Sequence, residues 1–347
     1  MIPEVTRSGI CGAAALLVVL VAAGCGGGGG DNRQAAPAQQ HLVYTAGESP
    51  NTASVWVADV DGANPRKLSD GAAGVLSPDG RTVAVLRRGG GIDLVSTDGK
   101  RSRHLTARKL RPQMWSRDGK TLYATAAIGP AIVKLLALDA DSGRPRTIAS
   151  GSLYGLDTSP DGKQIVYSRA PEATDQGICG DQFDLYVANP DGSSKKRITN
   201  DGLSAFPVWG ESRIAFSRFP SGRSIEDCSS PGIWTIDPDG GEASPVIARA
   251  PASIVLLNLY GLQPIGWLDD RRLLIGLRSE FGNKAAVLDT KTRRMRQFTD
   301  YAEHASSDGR YYVGSGGDTG IALTIRRVDD GQRMLRRQDA CCPSWNR

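Results

Sequence analysis

The chain has 347 residues, 40% of them hydrophobic, with 42 glycines and a formal charge of +5. The length permits two domains, but no long stretch has helical periodicity, and so much glycine suits many short strands joined by turns. The positive charge is slight, spread along the chain and not interleaved with aromatic residues, which argues against a nucleic-acid surface.

Residues 1–24 read as a lipoprotein-type signal peptide. Arg7 supplies a thin positive region, weakened by Glu4, ahead of an apolar run from Ile10 to Ala23 that is too short to span a bilayer comfortably. The run ends Val21-Ala22-Ala23-Gly24-Cys25, which resembles a bacterial lipoprotein cleavage box, with Ala22 where Leu is usual. The resemblance implies that Cys25 carries a diacylglycerol; ordinary secretion or an uncleaved anchor is the alternative. Residues 25–40 follow as a Gly-rich flexible linker that cannot bury a core, with a reach on the order of 20 Å.

From His41 onward one unit recurs. Its fullest copy runs from Leu156 to Thr199. An inner strand leads into the turn Ser159-Pro160-Asp161-Gly162, where Pro160 presets φ and Gly162 accepts φ > 0. Strands follow at Ile165–Tyr167 and Phe183–Ala188, then the turn Asn189-Pro190-Asp191-Gly192 and an outer strand over Lys196–Thr199. The first turn returns as Ser77-Pro78-Asp79-Gly80, Ser116-Arg117-Asp118-Gly119 and Ser307-Asp308-Gly309. It is degraded at Gly210-Glu211-Ser212 and Leu268-Asp269-Asp270. The second turn returns at Asp61-Gly62, Asp98-Gly99 and Asp239-Gly240. A spacing of roughly 40 to 60 residues is that of a propeller blade. Six complete units fall at about 71–106, 112–149, 155–199, 206–247, 262–299 and 302–337. A first unit, from His41, lacks its inner strand. Trp115, Trp209 and Trp267 each close an inner strand two or three residues after a proline, and Pro343-Ser344-Trp345 repeats that signature. The expectation is that residues 342–346 supply the missing strand beside 41–46, closing a ring that leaves no open sheet edge.

These residues resemble the WD40-like repeats of TolB-type β-propellers, over 41–347. The resemblance implies an all-β fold: a seven-bladed β-propeller of four-stranded antiparallel blades, with six blades as the alternative. TolB itself carries a further N-terminal domain, for which the residues before His41 leave no room.

Little in the sequence points to catalysis. No C-x-x-C pair exists, and His41, His104 and His304 stand far apart, so no metal set is expected. Gly314-Ser315-Gly316-Gly317 is no strand-to-helix nucleophile elbow. The carboxylates at Asp139-Ala140-Asp141-Ser142-Gly143 and Asp237-Pro238-Asp239-Gly240 suit turns, without the bidentate Glu of a calcium loop. No cofactor is expected. Cys179 and Cys228 precede the third strands of neighbouring units, so equivalent loops would bring them together as a disulfide. That leaves Cys341 and Cys342 either joined to each other or reduced. Cations gather on the outer strands, at Arg66 and Lys67, Arg101 and Arg103, Lys195 to Arg197, Arg293 to Arg296 and Arg333 to Arg337. Charge there discourages edge-to-edge pairing. The long connections 170–182, 219–231 and 249–262 share one face, the third containing Ile254-Val255-Leu256-Leu257 as an apolar contact run. The reading is a monomeric, non-enzymatic binding protein of the bacterial cell envelope. It would be lipid-anchored outside the cytoplasmic membrane, with a protein or anionic envelope polymer as partner and no nucleic acid. A propeller lactonase, lyase or peptide-processing enzyme using the central pocket is the alternative.

Overall fold

The structure, a computed structural model, describes residues 41–47, 52–174, 177, 180–220, 231–249, 261–277, 284–298, 300–315 and 322–345. The chain divides into two compact bodies, Met1–Pro37 and Ala38–Arg347, and every described residue lies in the second. The proposed lipid site Cys25, the pair Cys179 and Cys228, and the run Ile254 to Leu257 lie outside the described residues.

Every strand pair is antiparallel. Unit 1 orders its strands Ala340–Trp345, His41–Ala46, Ser54–Asp59, Arg66–Asp70 from inside to outside. The chain's last strand is therefore the innermost of its first unit, with Leu42 opposite Trp345 and Thr45 opposite Cys341. This is the closure the terminal Pro-Ser-Trp signature anticipates, beginning two residues earlier. Unit 2 runs Ala73–Leu76, Thr82–Leu86, Ile92–Ser96, Ser102–Thr106. Unit 5 runs Ser204–Trp209, Ile214–Arg218, Gly232–Ile236, Ser244–Ile247. Unit 6 runs Leu262–Trp267, Arg272–Leu277, Lys284–Asp289, Met295–Gln297. Unit 7 runs His304–Ala305, Tyr311–Ser315, Ala322–Arg327, Arg333–Gln338.

Units 3 and 4 are fused into one seven-stranded sheet. Unit 3 contributes Arg111–Trp115, Thr121–Gly129 and Ile132–Asp139, and unit 4 contributes Ile165–Ala170, Asp184–Ala188 and Lys196–Arg197. The single strand Pro145–Thr158 is the outer strand of unit 3 up to Gly151 and the inner strand of unit 4 from Ser152. Gly151 marks the crossing: a Cβ there would stand 2.2 Å from the carbonyl oxygen of Ala170.

The Ser-x-Asp-Gly turn owes its recurrence to a small hydrogen-bonded box. The Ser159 hydroxyl donates to Asp161 Oδ1 at 2.7 Å and accepts from the Gln164 amide at 2.9 Å, while Asp161 Oδ1 accepts from the Lys163 amide at 3.1 Å. The same box forms at Ser77 with Asp79, Ser116 with Asp118 and Ser306 with Asp308. In the last copy the working serine is Ser306, one residue before the Ser307 that sequence alone suggested. All these turns, with the Asp-Gly turns between third and outer strands, lie on one face of the ring, because antiparallel strands alternate direction. The connections from second to third strand and from unit to unit start and end at the opposite, long-loop face.

The core is distributed between units. Val43, Val55 and Val57 of unit 1 cluster with Leu76, Val83, Val85 and Val95 of unit 2. Equivalent clusters join units 2 and 3, 3 and 4, 4 and 5, 5 and 6 and 6 and 7. A further cluster of Leu42, Tyr44, Val313, Leu323, Ile325 and Trp345 joins unit 7 to unit 1.

Two belts of polar contacts reinforce these seams. At the inner ring, the Trp115 indole N–H donates to the Val75 carbonyl at 3.0 Å and the Trp267 indole to the Val208 carbonyl at 3.3 Å. Where tryptophan does not serve, the direction of help reverses. The backbone N–H of Leu76 donates to Ser344 Oγ at 3.2 Å, and that of Trp209 to Asp157 Oδ2 at 2.9 Å. Trp345 is only 5% exposed, yet its indole N–H finds no acceptor among the described residues. At the rim, outer-strand cations clasp the next unit's turn. Arg103 donates to the carbonyls of Ala140 and Asp141, Lys196 to that of Asp239, and Arg296 to those of Val328 and Asp329. These cations do more than charge an edge.

Two outcomes follow from this packing. Trp345→Ala should destabilise the fold by about 3–5 kcal/mol, seen as a lower urea midpoint at unchanged slope; an unchanged midpoint would show that the closing contact carries no stability. The second concerns acid. The Ser159 hydroxyl, then the Lys163 amide, hold the Asp161 carboxyl below its ordinary value, and Ser96 and Lys100 do the same for Asp98. A carboxyl held low in the folded chain stabilises it above the unfolded value of about 3.9, and that contribution disappears as pH falls through the folded value. Ser159→Ala should therefore lower Tm clearly at neutral pH and less in strong acid; an equal drop at both would contradict the charge-assisted box.

Candidate functional site: the long-loop face and its hairpin

The second and third strands of unit 3, Thr121–Gly129 and Ile132–Asp139, are longer than their counterparts and carry a hairpin beyond the body of the sheet. Pro130 and Ala131 make its turn. Ala131 sits at φ 57°, the left-handed conformation a proline-led type II turn needs at its third position. Residues 126–133 read Ala-Ala-Ile-Gly-Pro-Ala-Ile-Val, without a charge. Between Ile132 and Val133 the register slips, because Val133 lies opposite Ala127 and Ile132 opposite Gly129. Ile128 is the extra residue of that bulge, and a bulge re-aims a side chain; Ile128 is 51% exposed.

The hairpin has one covered edge and one open edge. Ile132–Asp139 pairs along one side of it. On the other side the inner strand begins only at Arg111, opposite Thr125. Among the described residues no strand covers 126–129 on that side. The open edge borders a groove of about 570 Å³. Leu86, Leu110, Ala127 and Val133 give it an apolar floor, while Arg87, Arg88, Lys109 and Arg111 give it charge. Gly90, at φ 92°, keeps one wall low: a Cβ there would meet Lys109 Cγ at 3.0 Å. Arg88 donates to the Ala53 carbonyl at 2.8 Å and pairs with Asp70 at 3.3 Å. Arg87 lies 3.7 Å from Asp93, whose carboxylate is also engaged by His104 at 2.8 Å. Neither Lys109 nor Arg111 has a carboxylate partner among the described residues. The groove thus carries cationic charge that the described residues leave unneutralised.

The ring's centre holds a second concavity, of about 270 Å³, lined by Gln113, Met114, Leu156, Tyr167, His304 and Trp345 among others. Burial raises the Tyr167 hydroxyl to about 12, so it stays protonated as a donor. Asp157 accepts from the amides of Thr158 and Trp209, both at 2.9 Å. It acts as a joint between units. Among the described residues no three His, Cys, Asp or Glu stand where they could hold one metal ion.

Around unit 4 the long-loop face is supported by a satellite core of Ala170, Phe183, Ala205 and Phe219, with Tyr154 and Phe206 packed against it. Tyr154 meets Phe183 edge-on at 5.0 Å. These aromatics anchor the ends of the connections 170–182 and 219–231. Cys341 and Cys342, left open by sequence, are joined to each other on the closing strand.

Sequence reasoning passed over the hairpin and its groove. The uncharged run around Gly129-Pro130 was a visible signal, too long for an ordinary turn. The clusters Arg87-Arg88 and Arg108-Lys109-x-Arg111 lie off the outer strands on which the cations were counted.

No family model matches the chain, and no curated protein sequence matches it. Solved structures do. TolB from Acinetobacter baumannii superposes with a TM-score of 0.54 at 16% identity, over 90% of this chain and 67% of that one. A puromycin-hydrolyzing peptidase of Mycobacterium tuberculosis gives 0.59 at 16% identity, over 86% of this chain but only 53% of the peptidase. Oligogalacturonate lyase from Vibrio parahaemolyticus gives 0.57 at 12% identity, over 87% and 85%. At such identities the likeness is one of fold. Together with the ring of antiparallel four-stranded units, it shows that the chain has a β-propeller fold like that of TolB.

Proposed function

We propose that this propeller is a non-catalytic binding protein of the bacterial cell envelope, held by a lipid on Cys25, that captures a protein or an anionic envelope polymer through its long-loop face. The observation that carries the reading is the asymmetry between faces. One is built of short, internally satisfied Ser-x-Asp-Gly and Asp-Gly boxes, which offer a partner little adaptable surface. The other carries an exposed apolar hairpin and a groove whose Lys109 and Arg111 have no carboxylate partner among the described residues, the combination that marks interaction surfaces. The likeness to TolB supports an envelope location. The likeness to a lyase and a peptidase, with the central concavity near His304, supports the rival enzymatic reading.

Three measurements test the proposal. A palmitate analogue should label the wild type and not Cys25→Ser. The immobilised chain should retain a partner from envelope extract, and serine at Ile254, Val255, Leu256 and Leu257 should reduce that retention without lowering Tm. Retention indifferent to the long-loop face, or turnover of oligogalacturonate or a peptide by the purified chain, would refute it.

A further inference from the structure

The geometry of unit 3 points to the kind of partner. We infer that the open edge at residues 126–129, with the adjoining cationic groove, takes an extended acidic segment of a partner protein, which adds as a strand on the side where the inner strand stops. The inference rests on the long-loop face being the binding face.

Three features converge on this occupant. The backbone of an uncovered strand edge presents N–H and C=O groups at strand spacing, and an extended chain satisfies them whatever its sequence. Folded proteins normally blunt such an edge with a charge, a proline or a covering loop. Here 126–129 is Ala-Ala-Ile-Gly, without a charge or a proline, and among the described residues no strand covers it on that side. The inner strand starts at Arg111, and the preceding residues turn away, the Leu110 amide donating to the Arg108 carbonyl at 2.8 Å. Among the described residues the lane beside 126–129 is left without a strand.

The chemistry of the lane selects what fills it. Side chains of an added strand alternate between two faces. One set meets the alkyl floor of Leu86, Leu110 and Val133, and the charges around it are Lys109, Arg111, Arg87 and Arg88. A segment alternating small apolar residues with Asp or Glu matches both. A nucleic acid or a sugar polymer matches less well, because among the described residues no aromatic ring lines the groove to stack on a base or a pyranose face.

Fluorescence anisotropy of the full chain with a short labelled peptide alternating Glu and Val tests the inference. The peptide should bind saturably and more weakly as salt rises. Lys109→Glu combined with Arg111→Glu should weaken binding about tenfold or more, whereas Lys291→Glu, on the turn face, should leave it unchanged. N-methylating alternate peptide amides should abolish binding in one register and spare it in the other, since only alternate amides face the hairpin; this arm needs no altered protein. Equal binding of both N-methylated forms would overturn strand addition. Tighter binding of polyuronate or of anionic vesicles, lost with the same two substitutions, would assign the groove to a glycan or a membrane. If serine at 254–257 abolishes partner retention while the double charge reversal does not, this inference fails and the broader reading stands.

Discussion

Apolar packing across the seams between neighbouring sheets is the interaction on which everything else in this molecule depends. A four-stranded sheet this small has two faces and no second layer of its own. Each therefore buries one face against the unit before it and the other against the unit after it. The hydrophobic term is indifferent to direction, so packing alone would permit a sliding stack. Angle and register come from the directed contacts at the two belts, indole and amide donors inside and guanidinium and ammonium donors outside. Each such bond contributes about 0.5–1.5 kcal/mol net, small beside the burial, but only one arrangement satisfies all of them.

The repeating architecture was legible because its turns are chemically demanding. Ser159, Asp161 and Gly162 occupy positions that backbone geometry dictates, so the motif survives where strand residues drift. The missing strand of unit 1 was legible for a similar reason: Trp345 reproduces the context of Trp115. The box at Ser306 was misplaced by one residue because two serines adjoin, and only the hydroxyl's reach to Asp308 and to the Tyr311 amide distinguishes them. The fused strand at 145–158 left no signal, since a connection that stays extended looks like a short loop between two strands.

The candidate site was less legible because it depends on what is absent. A count of cations places Lys109 and Arg111 in the chain but says nothing about whether carboxylates lie within reach. An apolar run announces Ile128 but does not say that the edge beside it is bare. Asp157 shows the same limit: its place in the chain does not say that its oxygens accept from the amides of Thr158 and Trp209 and so tie unit 4 to unit 5.

The strand Pro145–Thr158 has a structural consequence. Its first half is hydrogen-bonded to the third strand of unit 3 up to Gly151, and its second half to the second strand of unit 4 from Ser152, so the chain reverses between the two faces of the ring at Gly151. The two sheets still stack face to face through Tyr123, Leu135, Ile165 and Tyr167, but the backbone passes from one ladder to the next without an unpaired residue at the crossing. A side chain added at Gly151, against the Ala170 carbonyl, would disturb both ladders at once.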